Sequence, residues 1–357
     1  MANSNKRDKN SETVHHLVSR IAHRVYFLKE DERMDFLEIV RRAAEFTGVE
    51  LLGWCVMTNH FHLLVYLPAP PIVDEDEVLR RYGILKGAKA TDDMVVRFES
   101  WRRNGDSGER LVAGWVDRQR RRMYDVGCFM KIVKQWFTEE YNRRNAHKGT
   151  LWESAYFDRI VPRSEDEMAK CLGYIHLNPI RSADTDRFDG YAWSSYSAFR
   201  KGDPTAIRGM RFIYGMGESE SEIAYRHEAL LEGLLETEKL RRAEEIARKR
   251  ALGYEVPVDP LTTEAMVAQR AAHLAEVQKA LIEYRDGPLP GKGNVDKKEL
   301  REKGILTMLA MCPGMDAPQL AERLSIGMST AYRLLSMMKR KGLVHQERRG
   351  GFWKLSK

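Results

Sequence analysis

Two short segments carry residues whose types and spacing could do chemistry. In WCVMTNHFHLLVYLP (residues 54–68), His60 and His62 flank one phenylalanine inside an otherwise apolar run. On a β-strand, residues i and i+2 face the same side, so both imidazoles project together while Phe61 faces the other way. Two neutral imidazoles side by side make half of a divalent-metal site and leave a third, oxygen-bearing ligand to come from elsewhere. In CLGYIHLNPIRSA (171–183), Tyr174 and Asn178 stand four residues apart, so on a helix the phenol and the carboxamide share a face. The amide oxygen could complete a metal shell, and the phenol oxygen could attack what the metal holds. A phenol is a weak nucleophile until it loses its proton near pH ~10, and a cation on a phosphodiester neutralises the charge that develops during in-line attack. Taken alone, each segment has a simpler reading: hydrogen-bonded surface histidines, and a core tyrosine with its hydroxyl satisfied.

The elements that must position these residues follow from hydropathy patterning. TVHHLVSR (13–20) mixes β-branched and polar residues as a strand does. DERMDFLEIVRRAAEFTGV (31–49) has apolar residues at helical spacing, opens with acids and ends at Gly48. LLGWCVMTNHFHLLVYL (51–67) gives two strands broken near Thr58 and Asn59. FMKIVKQWFTEEY (129–141) is helical again, and EDEMAKCLGYIHL (165–177) is a helix stopped by Asn178-Pro179, since proline cannot continue it. The α+β domain so outlined spans residues 13–200, after a disordered tail over 1–12. Residues 72–127, charged and irregular in pattern, form a partly helical insertion. Residues 201–294 form a helical connector and linker, interrupted at VPVDP (256–260) and ending in DGPLPGKGN (286–294).

The 357 residues allow two or three domains, and a formal charge of +7 suits a polyanionic partner. The charge is unevenly placed. Residues 297–357 hold thirteen Lys/Arg against five Asp/Glu, a net of +8, which leaves −1 on everything before them. Cys55, Cys128, Cys171 and Cys312 are far apart with no CxxC pair, as expected of reduced core thiols. No apolar stretch approaches 18 residues and the N-terminal residues lack a hydrophobic region, so neither a membrane span nor a signal peptide is expected, and the expected location is cytoplasmic.

Five segments together resemble the single-tyrosine HUH transposases of insertion sequences, closest to the REP-associated tyrosine transposases. They are CVMTNHFHLLVYLP (55–68), FMKIVKQWFTEEYN (129–142), GTLWESAYFDRIV (149–161), YIHLNPIRSA (174–183) and YAWSSY (191–196), in the family's order. The resemblance implies a ferredoxin-like α+β domain whose antiparallel sheet presents the histidine pair. It implies Mg²⁺ or Mn²⁺ on His60 and His62, Asn178 as third ligand, and Tyr174 as the nucleophile that forms a 5′-phosphotyrosine on single-stranded, hairpin-bearing DNA. Tyr141 and Tyr156 lie outside the YIxxNP setting. In some relatives the tyrosine helix is exchanged in a homodimer, while others act as monomers. Thr58 replaces the family's usual proline, Ala155 replaces a frequent arginine, and the 72–127 insertion has no counterpart in the common domain. Arg20, Arg24, Arg159 and Arg181 could contact phosphates or simply face solvent. Trp152 could stack on an unpaired base or belong to the core.

Residues 295–357 have their own pattern of three helices and a hairpin, a winged helix-turn-helix for duplex DNA. Its first helix is KKELREKGILTMLAM, its second DAPQLAERL (316–324), and its third STAYRLLSMMKRKG (329–342). Ser329, Thr330, Tyr332 and Arg333 open the third helix and would read base edges. Lys339, Arg340, Lys341, Arg348 and Arg349 would meet phosphates. Three functions follow: a DNA strand transferase, a domesticated transposase serving as a sequence-specific DNA-binding regulator, and a metallophosphoesterase that activates water.

Overall fold

The computed structural model describes residues 12–22, 28–257, 259–286, 305, 309, 317–323, 328–341, 343–346 and 353–355. The chain forms two units, Met1–Glu238 and Lys239–Lys357.

The first unit opens with β1 (Thr13–Arg20), α1 (Glu30–Thr47), β2 (Glu50–Val56) and β3 (His60–Leu67). Three inserted helices follow: α2 (Glu75–Lys86), α3 (Ala88–Arg102) and α4 (Asp106–Arg120). Then come α5 (Val126–Arg144) and β4 (Phe157–Val161). Without the insertion the order is βαββαβ, and the antiparallel strands lie in the order β2-β3-β1-β4. That is the ferredoxin-like arrangement. Glu30, Asp31 and Glu32 crowd the first turn of α1, where the helix dipole favours anions. Gly48, at φ +72°, closes the helix in the left-handed conformation, and its N–H donates to Ala44 O.

The sheet has two unlike faces. Phe61 points to one, packing on Phe36 of α1 at 4.6 Å between ring centroids and on Trp152 at 5.6 Å. Strand register sends His16, Val18 and Arg20 of β1 to the other, with Leu64, His62 and His60 of β3 opposite them. Arg159 of β4 lies opposite His16 on that same face.

The insertion is more helical than its sequence suggests. Each of its helices buries only two or three apolar residues: Val78 and Leu85, then Met94 and Phe98, then Val112, Trp115 and Val116. So short a set gives little periodicity. Rings of Tyr82 and Phe98 meet Trp115 edge-on at 5.1 and 5.2 Å.

After β4 come α6 (Glu165–His176), α7 (Asn178–Arg181), α8 (Ser195–Arg200), α9 (Pro204–Tyr214) and α10 (Glu220–Ala251), which runs through the boundary between units. The YAWSSY segment lines the outer edge of β2: Val56 N–H donates to Trp193 O, Tyr191 Oη donates to Val56 O, and Trp54 N–H donates to Ser195 Oγ. An edge strand is thereby covered. Residues 201–238, which sequence patterning assigns to a connector, pack on the sheet domain instead. Leu52 is the extra residue of a bulge in β2, and Gly209 of α9 sits against it.

A Cβ on Gly209 would lie 2.1 Å from the Leu52 carbonyl oxygen. Gly209→Ala is therefore expected to destabilise the protein by about 1–3 kcal/mol, outweighing the helix propensity gained. Gly233 of α10 is exposed and a Cβ there meets nothing within 4 Å. Gly233→Ala should stabilise by about 0.5–1 kcal/mol. Urea midpoints of the two variants moving in opposite directions would verify this contrast.

In the second unit, α11 (Glu264–Asp286) contributes Val267 to a small core with Ala243, Ile246 and Ala247. Helices Ala317–Arg323 and Met328–Arg340 and the hairpin of β5 (Val344–Gln346) and β6 (Trp353–Leu355) enclose another core. It holds Ile305, Leu309, Leu320, Leu334, Leu335, Met338, Val344 and Trp353. Among the described residues no helix is long and apolar enough to cross a membrane. Cys55, Cys128 and Cys171 are free thiols, and Cys312 lies outside the described residues.

Candidate functional site

The turn at 57–59 ends β2 and starts β3 at His60, so the two histidines fall on the mouth of the sheet face that lies away from α1 and α5. Their rings lie 5.1 Å apart, nearly perpendicular. His60 Nδ1 donates to Asn59 Oδ1 at 2.7 Å, and His62 Nδ1 lies 3.0 Å from His16 Nε2. Among the described residues neither Nε2 of the pair has a partner.

The tyrosine comes from α6. Ser164 caps its first turn by accepting from Glu167 N–H, and Glu165, Asp166 and Glu167 follow at the positive end of the dipole. Pro179 ends it, having no N–H for the Ile175 carbonyl. Asn178 Nδ2 takes over that role, donating to Ile175 O at 3.2 Å and to Tyr174 O at 3.0 Å. Its Oδ1 accepts nothing from the described residues. Gly53 of β2 lets α6 approach the sheet closely, since a Cβ there would meet Leu172 Cδ1 at 2.2 Å.

Tyr174 is 45% exposed, and its ring stands edge-on to His62 at 5.8 Å and to His16 at 6.0 Å. The Arg181 guanidinium lies 4.6 Å from the centre of the phenol ring, and its Nη1 donates to Tyr174 O. His62 of the sheet and Tyr174 of the helix, 112 residues apart along the chain, therefore meet in one subunit. Asn178 makes no hydrogen bond to either imidazole among the described residues.

Electrostatics keep the imidazoles neutral. Burial pushes His62 down to about 2, reinforced by His60, His16, Arg20 and Arg181. Burial and then Arg20 push His60 down to about 4, and burial and then Arg159 do the same to His16. A cation can therefore be met by lone pairs without first displacing protons. Two imidazole nitrogens and an amide oxygen suit a divalent ion that accepts mixed nitrogen and oxygen ligands. Among the described residues no group of three His, Cys, Asp or Glu side chains is arranged to hold a metal.

The arginines have distinct places. Arg20 stands opposite His60 in the sheet register, Arg159 Nη2 donates to Cys171 Sγ at 3.6 Å, and Arg181 lies over the tyrosine. Trp152 requires a correction as a base-stacking residue. It is only 7% exposed, its Nε1 donates to Thr138 Oγ1 and Lys134 O, and its ring packs on Phe61 and Phe137. Stacking on DNA would pull it from the core. Arg24, Arg348 and Arg349 lie outside the described residues. On helix Met328–Arg340, Tyr332, Arg333, Lys339 and Arg340 are exposed, as is Lys341 just beyond it, while Leu334, Leu335 and Met338 face inward. Ser329 and Thr330 belong to the first turn of that helix.

His16 was not among the residues singled out from sequence. Its signal was the doubled histidine of TVHHLVSR, one of which must face each side of the sheet. His15 takes the opposite face, where its Nδ1 pairs with Asp158 at 2.7 Å.

Residues 9–75 match the family model described as "Transposase IS200 like", and residues 304–348 match that of the IclR helix-turn-helix domain. No curated protein matches the chain. A solved structure of a REP-associated tyrosine transposase bound to a REP hairpin is similar over 53% of this chain and 80% of its own, with 12% identity and a TM-score of 0.34. The chain is thus similar to the IS200-like transposases over residues 9–75 and to the IclR helix-turn-helix domain over residues 304–348.

Proposed function

We propose that the protein cleaves and rejoins single-stranded, hairpin-bearing DNA through a covalent tyrosine intermediate. The observation that carries this reading is the exposed Tyr174 phenol standing 5.8 Å, ring to ring, from a histidine of the HxH strand. Tyr174 Oη attacks a backbone phosphorus. Its O–P bond forms as the phosphorus–O3′ bond breaks, the phenol proton leaves to solvent, and the departing O3′ takes up a proton. A 5′-phosphotyrosine and a free 3′-hydroxyl result, and attack by a 3′-hydroxyl reverses the step. His60 Nε2, His62 Nε2 and Asn178 Oδ1 would hold Mg²⁺ or Mn²⁺, which supplies positive charge against the anionic transition state. Arg20, Arg159 and Arg181 hold the phosphates. Incubation with Mn²⁺ and a panel of labelled hairpin-bearing strands should give a denaturant-resistant protein–DNA adduct.

A second reading, a DNA-binding regulator that has lost cleavage, is favoured by the C-terminal domain with its exposed Tyr332, Arg333, Lys339, Arg340 and Lys341. In either case that domain binds duplex, with Ser329, Thr330, Tyr332 and Arg333 at base edges and the lysines and Arg340 on phosphates. Lys339→Ala and Arg340→Ala should each flatten the slope of log affinity against log salt by about 1, with little change in sequence preference. Tight duplex binding without adduct on any hairpin would select the regulator.

A further inference from the structure

We propose that His16 is a positioning residue for the metal site: its Nε2 accepts the Nδ1–H of His62 and so holds His62 with its Nε2 lone pair free for the cation. This rests on the metal reading above and extends it to a residue on a different strand.

The geometry points this way from three sides. His16 and His62 are both only 5% exposed, their ring nitrogens lie 3.0 Å apart, and the rings lie end to end with centroids 5.2 Å apart and planes 20° from parallel, as an N–H···N bond requires. A neutral imidazole has one donor and one acceptor nitrogen, so a hydrogen bond at one nitrogen decides what the other can do. If His62 Nε2 is to receive a cation, its proton must sit on Nδ1, and His16 Nε2 must be the acceptor. His60 reaches the same tautomer by a separate route, donating Nδ1–H to the Asn59 amide oxygen. Both rings then offer Nε2, each oriented by its own partner.

His16 is not itself a third ligand in this arrangement. Its Nε2 is turned to His62 Nδ1, and no three His, Cys, Asp or Glu side chains among the described residues converge as ligands. It also touches the edge of the Tyr174 ring, so one side chain contacts both the metal-binding imidazole and the nucleophile's ring. Second-layer partners of metal-binding histidines commonly contribute about 10- to 100-fold in metal affinity.

The test uses the full chain and Mn²⁺ alone, titrated by calorimetry without DNA. His16→Phe keeps an aromatic ring in the same place but removes the acceptor, and should weaken Mn²⁺ binding about 10- to 100-fold. His16→Gln, whose amide oxygen can accept, should recover most of that loss. Unchanged affinity in His16→Phe, with binding lost in His62→Ala, overturns this inference and leaves the metal reading standing. Wild-type protein that binds no Mn²⁺ overturns both. Imidazole ¹⁵N resonances of the unsubstituted protein give a check independent of folding in the variants. His62 should carry its proton on Nδ1 and His16 should have an unprotonated Nε2; the reverse assignment rejects the proposal.

Discussion

Tyr174→Phe is expected to reduce covalent adduct formation on hairpin-bearing DNA by on the order of 10⁴-fold or more, because the attacking oxygen is removed and no neighbour replaces it. The same variant should fold normally and bind Mn²⁺ and duplex DNA as wild type does. What holds the side chain is its ring, which meets His16, His62 and the Arg181 guanidinium. The hydroxyl makes no hydrogen bond to the described residues, so its loss leaves no buried group unpaired. Denaturing gels with labelled oligonucleotide, alongside a duplex titration, measure both halves. Adducts surviving in Tyr174→Phe would move the chemistry elsewhere, and Tyr156→Phe is the next variant to examine.

Conformational stability should fall steeply between pH 6.5 and 5. His227 is completely buried, with Nε2 2.7 Å from His176 Nδ1 and Nδ1 2.6 Å from Tyr214 Oη, and burial holds it down at about 3. The unfolded chain protonates the same ring near ~6.5. Below that pH the unfolded state binds a proton that the folded state refuses, so stability is full above 6.5 and declines as pH drops toward 3. By pH 5 this one histidine costs about 2 kcal/mol, a sizeable part of the ~5–15 kcal/mol that stabilises a typical domain. His16, His60 and His62 are lowered as well and act in the same direction. Carboxylates titrate mostly below this window, which isolates the histidine contribution. Urea midpoints at pH 7.5 and 5.0 test it, and equal midpoints would show that the buried rings are accommodated as cations.

The sheet domain was largely legible because its signals are local. Strand Thr13–Arg20 has the bounds its sequence suggests, Gly48 ends α1, and the alternation of His60, Phe61 and His62 puts the histidines on one face and Phe61 on the other. Asn178 stands just past the end of α6, ahead of Pro179, and its side-chain amide reaches back to the Tyr174 and Ile175 carbonyls. What could not be read depends on register between distant segments. His16 meets His62 only because β1 and β3 pair with Val18 opposite His62, a fact no local pattern contains. Trp152 looks like any aromatic in a polar loop until α5 supplies Thr138 and Lys134 for its indole nitrogen. The helices after residue 200 look solvent-facing because of their charge, yet α9 presses glycine against the β2 bulge.

The buried relay behind the tyrosine helix restricts how two copies of the chain could share a site. Ser195 Oγ lies 2.6 Å from His176 Nε2, His176 Nδ1 meets His227, and His227 meets Tyr214, linking α8, α6, α10 and α9 in one dry chain. Handing α6 one way to a second copy would strand these groups away from water, at about 1–3 kcal/mol for each. An exchange that kept them paired would have to be reciprocal, each copy receiving its His176 from the other.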